Sequence, residues 1–120
     1  MVRCLGAGAA GTVYECVDRS RGYRVAVKVM RRGSAPARFR REFSDHCHLK
    51  HPNLCALGEF FSESAWTYFT MQLVEGTDLL TYVRTGDGVG PLGFDEQRLR
   101  DGFRQLAAGL WALHQAGKVH

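Results

Sequence analysis

Two periods of apolar and polar residues divide the chain. From residue 12 to 18 (Thr12-Val13-Tyr14-Glu15-Cys16-Val17-Asp18) they alternate, and they do so again from 23 to 30 (Tyr23-Arg24-Val25-Ala26-Val27-Lys28-Val29-Met30). A period of two, rich in β-branched residues, predicts strands. Arg19-Ser20-Arg21-Gly22 between them has the composition of a turn, so the pair is predicted to be a hairpin. The period then changes. Phe39, Phe43, Cys47 and Lys50 recur at helical spacing, which predicts a helix over 36–50 with Pro36 in its first turn and Pro52 as its stop. Segments near 54–61 and 66–73, carrying Phe60, Phe61, Trp66, Tyr68 and Phe69, predict two more strands in a half-buried sheet. Residues 78–84 predict a short helix, and the glycine-rich stretch 85–93 a loop.

From 94 to 115 the pattern is helical throughout. Leu99, Phe103, Leu106, Leu110 and Leu113 mark one face, Asp95 and Glu96 suit the first turn, and Gly117 suits the C-terminal cap. That stripe needs a neighbour to bury it. The element order is three strands, a helix, two strands, then helices. It predicts an α+β chain: an antiparallel sheet with one helix against it, followed by the start of a helical part.

Length and charge narrow the picture. The 120 residues are 45% hydrophobic, enough for one core. No apolar run reaches about 18 residues, so no transmembrane helix is expected, and the first residues lack a signal peptide's apolar stretch. A cytoplasmic location is the expectation. The net charge of +4 comes from 16 basic and 12 acidic residues, with basic runs at 19–24 and 31–41. Without aromatics interleaved on the same face, these runs read as solvated surface, and no nucleic-acid partner is expected. Cys4, Cys16, Cys47 and Cys55 form no C-x-x-C pair and read as free thiols. His46-Cys47-His48 with His51 lacks a second ligand pair at zinc spacing, so no metal site is expected.

Three features carry chemistry. Gly6-Ala7-Gly8-Ala9-Ala10-Gly11 spells G-x-G-x-x-G. Residues without a Cβ let backbone amides approach phosphate oxygens. A dinucleotide-binding unit would open a helix there, whereas here the motif opens the strand beginning at Thr12. A plain glycine-rich hairpin is the alternative. Next, Lys28 lies inside an otherwise apolar strand, on one face with Ala26. It either meets an anion or snorkels to water from an edge strand. Finally, Glu42 falls 14 residues after Lys28, between Phe39 and Phe43 on the following helix. It can reach back to Lys28, or it can pair at the surface with Arg38.

In this order the three features resemble the N-terminal part of a eukaryotic-type serine/threonine protein kinase domain of the kind common in bacteria. The resemblance extends through His51-Pro52-Asn53, through the hinge-like run from Tyr68 to Leu79, and through the helix of residues 94–115. It ends at Val119-His120, which resembles the start of the catalytic loop. It implies a kinase N-lobe over 1–75, with a twisted five-stranded antiparallel sheet and one helix of the αC type. The first helices of the C-lobe would occupy 76–120.

The resemblance also implies roles. The amides of Gly6, Ala7, Gly8, Ala9, Ala10 and Gly11 cover the phosphates of ATP. Lys28 contacts the α- and β-phosphates, and Glu42 holds Lys28 when its helix is swung in. Leu5, Val13, Ala26 and Leu73 sandwich the adenine, and Met71 closes the back of the pocket. The backbones of Gln72 and Val74 bond the adenine edge, and Asp78 lies near the ribose. His46, where relatives carry an apolar residue, is expected to pack as a neutral core side chain. The catalytic aspartate and the magnesium-holding residues would lie past His120. The parent would phosphorylate protein substrates using Mg2+, whereas the 120 residues alone are expected to be inactive. The alternative is a non-catalytic, pseudokinase-like module that binds a nucleotide or a partner.

Overall fold

The computed structural model describes residues 1–30 and 36–118. Part of the basic run 31–41 and the catalytic-loop-like Val119-His120 therefore lie outside the described residues. Strand β1 covers Arg3–Gly8, β2 Gly11–Asp18 and β3 Tyr23–Met30; helix α1 covers Pro36–His46; β4 covers Leu57–Ser62 and β5 Thr67–Met71; helices α2 and α3 cover Leu79–Arg84 and Glu96–Gln115. All five strands join one antiparallel sheet in the order β1-β2-β3-β5-β4. The chain divides into two compact units, residues 1–50 with 55–74 and residues 51–54 with 75–120.

In the first unit the β2–β3 hairpin closes as its sequence predicts. Asp18 Oδ1 accepts from the Ser20 amide at 2.9 Å and the Arg21 amide at 3.2 Å, and the Gly22 amide bonds the Asp18 carbonyl oxygen at 2.8 Å. One face of the sheet is apolar over β4, β5 and the end of β3, and there it carries α1. The rings of Phe39 and Phe43 lie 5.4–6.4 Å from those of Phe60 and Phe69, and Met30, Leu57 and Met71 complete the core. Four aromatic rings packed at such separations stabilise beyond their buried area.

The helix predicted over 36–50 ends at His46. Residues 47–48 turn, with the Leu49 amide on the His46 carbonyl oxygen at 3.0 Å. Lys50, which continues the helical spacing, is exposed and gives the helix nothing to bury. The strand predicted from 54 begins at Leu57. In β4 the register shifts between Leu57 and Phe60. There Thr70 Oγ1 accepts from the Glu59 amide at 2.8 Å, and a Cβ on Gly58 would collide with that hydroxyl.

In the second unit Asp78 caps α2 and Asp95 caps α3, each accepting from the amide three residues on. Arg98 stacks on Tyr82 and donates to the carbonyl oxygens of Tyr82 and Thr85 at 2.9 and 2.6 Å, closing the C-terminal end of α2. Gly109 lets α3 approach the 51–54 segment, because a Cβ there would stand 2.9 Å from the Asn53 carbonyl oxygen. Gly117, with φ 73°, ends α3. The apolar stripe of α3 is divided: Leu99, Leu110 and Leu113 are half-buried, whereas Phe103 and Leu106 are exposed. Among the described residues no helix is long and apolar enough to cross a membrane.

Candidate functional site

Residues opposite one another in an antiparallel ladder share a face, so the register lays the site out in rows. One row runs Gly6–Val13–Lys28–Phe69–Phe60 across all five strands. Beside it runs Arg3–Glu15–Ala26–Met71–Leu57, and on the other side Gly8–Gly11–Met30. Phe69, Phe60, Met71, Leu57 and Met30 are core residues, so Val13, Ala26 and Lys28 lie on the same face as the core, on the side toward the glycine hairpin. The pattern Ala26-x-Lys28 does what its alternation predicts: it sets a buried small side chain beside a half-buried lysine.

Gly6 and Gly8 end β1, Ala9 and Ala10 form the turn, and Gly11 opens β2. The three glycines differ in why they are glycine. Gly11 has φ 141°, and a Cβ there would drive into the Val29 carbonyl oxygen and stand 3.1 Å from Met30 Cα. At Gly6 and Gly8 a Cβ would meet nothing within 4 Å. Gly11 thus serves the sheet, whereas Gly6 and Gly8 leave open space. A cavity of about 280 Å³ lined by Ala7, Gly8, Gly11, Thr12 and Val29 is also present. Ala7, Thr12 and Val29 alternate with the Lys28 row, which places this cavity behind the hairpin rather than over Lys28. The chemistry therefore lies along the Lys28 row of the sheet and not in this cavity.

The pairing of Lys28 with Glu42 is not made in this structure. Among the described residues, no hydrogen bond or ion pair joins them and Lys28 enters neither kind of contact. Phe39 and Phe43 turn their faces of α1 onto Phe60 and Phe69, α1 packs chiefly on β4, and Glu42 is left exposed. His46 is half-buried, with Nδ1 2.6 Å from the Glu42 carbonyl oxygen on its own helix.

Leu5 falls where the β1–β2 register shifts between Cys4 and Gly6. Met71 lies opposite Ala26 and packs into the core. The Gln72 amide donates to the Ala56 carbonyl oxygen at 2.8 Å, and the Gln72 carbonyl oxygen accepts from Cys55 Sγ at 3.5 Å. Burial raises the Cys55 thiol pKa, so it stays protonated and able to donate. Leu73 is half-buried and Val74 exposed. Asp78, in the second unit, accepts from the Thr81 amide at 2.9 Å and the Thr81 hydroxyl at 2.8 Å, and these bonds lower its pKa.

The sequence pattern does not single out Glu15. It is the most buried charged residue among those described, 2% exposed, and two arginines hold it: Arg3 Nε donates to Oε2 at 2.7 Å and Arg24 Nε to Oε1 at 2.6 Å. Those bonds, Arg3 first, hold its carboxyl below the ordinary 4.5. The readable signal is a lone acid inside β2, on the face that alternation also gives to Arg24. Among the described residues no three His, Cys, Asp or Glu side chains converge as metal ligands.

A five-stranded sheet of this order, with a glycine hairpin at one edge, a lysine on its central strand and one helix on that face, is the small lobe of a kinase-type fold. The family model for the protein kinase domain matches residues 1–120, and the chain belongs to that family. It is 32% identical over 97% of its length to a probable serine/threonine-protein kinase zyg-1 of Caenorhabditis briggsae, of which it covers 16%. It is 26% identical over its whole length to serine/threonine-protein kinase PLK4 of Xenopus laevis, covering 13% of that protein. It is 32% identical over 98% of its length to CBL-interacting protein kinase 19 of Oryza sativa subsp. japonica, covering 23%. The chain thus spans less than a quarter of each of these relatives. The crystal structure of Rad53 1-466 in complex with AMP-PNP superposes with a TM-score of 0.79 at 27% identity, over 98% of this chain and 30% of that one.

Proposed function

We propose that this chain is the ATP-gripping part of a protein kinase whose complete form transfers the γ-phosphoryl group of ATP to serine or threonine hydroxyls of protein substrates. One observation carries the reading. Lys28 is half-buried and without an ion pair among the described residues, in one row with Gly6, whose missing side chain leaves open space. A half-buried cation in that position is satisfied by an anionic ligand, and a triphosphate is the ligand that the glycine hairpin suits. AMP-PNP, the ligand of the Rad53 structure, has that chemistry.

On this reading the amides of residues 6–11 cover the phosphates and Lys28 neutralises the α- and β-phosphate charge. Glu42 orients Lys28 once α1 brings it in. Leu5, Val13, Ala26 and Leu73 hold the adenine, Met71 backs it, and the backbones of Gln72 and Val74 bond its edge. Asp78 meets the ribose hydroxyls, since each oxygen held by Thr81 keeps a second acceptor position. Magnesium does not fit the described residues, because no three His, Cys, Asp or Glu side chains among them converge to hold it. The four free cysteines suit a reducing, cytoplasmic setting.

The test compares the full-length protein with Lys28→Met for ATP binding and phosphate transfer to a protein substrate. Loss of transfer with weakened ATP binding supports the reading, and equal activity in the two sinks it. The second reading is a module that binds nucleotide or a partner without catalysis. ATP binding with no turnover in the full-length wild type establishes that one.

A further inference from the structure

We propose that Glu15 is a positioning residue for the nucleotide: its carboxylate pins the base of β1 to β3 and so sets where Leu5, Gly6 and Gly8 stand over the ligand. The proposal rests on the ATP-binding reading above.

Strand β1 is one of the two edge strands of the sheet. It is hydrogen-bonded only to β2, and all six of its residues are exposed. No core side chain of its own anchors it. Besides the ladder to β2, Glu15 ties its base down twice. The Val2 amide donates to the Glu15 carbonyl oxygen at 2.7 Å, and Arg3 Nε donates to the Glu15 side chain at Oε2. The other carboxylate oxygen, Oε1, belongs to Arg24 on β3. One carboxylate therefore bridges three adjacent strands, with a different oxygen for each flanking strand. The carboxylate is 2% exposed while the arginine side chains are 65% and 49% exposed. The guanidiniums thus close over an anion that water does not reach, and charge-assisted bonds are strong in such a setting.

Position gives the clamp its consequence. The tethered part of β1 ends where the register shifts between Cys4 and Gly6, and Leu5 falls within that shift. Beyond it lie Gly6, Gly8 and the hairpin turn. If the base of β1 loosens, Leu5 and the glycines move together as one lever. Lys28 keeps its place without the Arg3 arm of this clamp, because its strand is paired with β2 on one side and β5 on the other. Loss of the clamp should therefore weaken the grip on ATP and spare the lysine's role in the chemistry.

The full-length protein is assayed as wild type, Glu15→Gln, Arg3→Ala and Arg3→Lys, with the KM for ATP, the KM for protein substrate and kcat read separately. Glu15→Gln and Arg3→Ala are expected to raise the KM for ATP about three- to tenfold, the size of one lost charge-assisted tether. The other two constants should stay within about twofold of wild type, and Arg3→Lys, which keeps the charge on β1, should stay near wild type. A purely structural role would lower the thermal midpoint without this split. An unchanged KM for ATP in Arg3→Ala, or a fall in kcat matching the rise in KM, overturns the proposal. Arg3→Ala decides the matter even if Glu15→Gln does not fold, because Arg3 is exposed and Arg24 still covers Glu15. Wild-type turnover is measured first. Its absence refutes the kinase reading alone, and Glu15 is then judged by the dissociation constant for ATP in the same variants.

Discussion

The glycines of the hairpin should separate into two kinds when each is replaced by alanine. Gly11→Ala adds a Cβ at φ 141°, a conformation that L residues adopt at a cost of roughly 1–3 kcal/mol. The same Cβ runs into the Val29 carbonyl oxygen, so β2 and β3 must part locally. One or two ladder hydrogen bonds are then lost at about 1 kcal/mol each. Together these give a local destabilisation of about 2–5 kcal/mol. Gly11 pairs with Met30, a core residue, so the disturbance enters the core. Gly6→Ala meets no atom within 4 Å and has no positive φ, so its effect on the fold should be within about 0.5 kcal/mol or slightly stabilising. Its Cβ stands instead in the Lys28 row, and it should weaken ATP binding. Native-state hydrogen exchange of the Val29 and Met30 amides in the full-length protein reads the first effect as exchange roughly 30- to several-thousandfold faster. ATP titration reads the second. Equal protection in Gly11→Ala and Gly6→Ala would refute the division.

Other consequences are simpler to state. Phe43→Ala removes a ring, itself 7% exposed, from the four-ring cluster and should lower the unfolding free energy by about 3–5 kcal/mol in denaturant titration. Asp95→Ala removes the N-cap of α3 and should cost about 1 kcal/mol, read as faster exchange of the first-turn amides. The folded-state pKa of Glu15 is depressed, so its contribution is present above 4.5 and is lost as pH falls through the lower folded value. Acid titration followed by circular dichroism should therefore show a shallower loss of stability below pH 4.5 in Glu15→Gln than in wild type.

The β2–β3 hairpin is legible in the sequence because both strands are buried on one side, so alternation survives, and Gly22 marks their turn. Strand β3 matches its predicted limits, and β2 starts one residue earlier, at Gly11. Strand β1 shows no alternation of its own, since its residues are all exposed; only the glycine motif betrays it. The end of α1 is misjudged because Lys50 continues the spacing without an apolar partner to meet. Spacing along a chain also says little about how a helix is rotated about its axis. The rings of Phe39 and Phe43 decide that rotation, and they leave Glu42 exposed. The clamp on Glu15 is hidden for a different reason. Its three residues are scattered over 22 positions of sequence, from Arg3 to Arg24, and meet only through the ladder.

The contact between Gly58 and Thr70 bears on how such a sequence can drift. The hydroxyl that accepts the Glu59 amide fills the space a side chain at position 58 would need. Neither position is free to change first: a larger residue at 58 displaces the hydroxyl, and loss of the hydroxyl strands the amide. The two should therefore behave as a single inherited character. Among homologues, a residue other than glycine at 58 should be accompanied by a smaller one at 70, and the acceptor for the Glu59 amide should then come from elsewhere in β5.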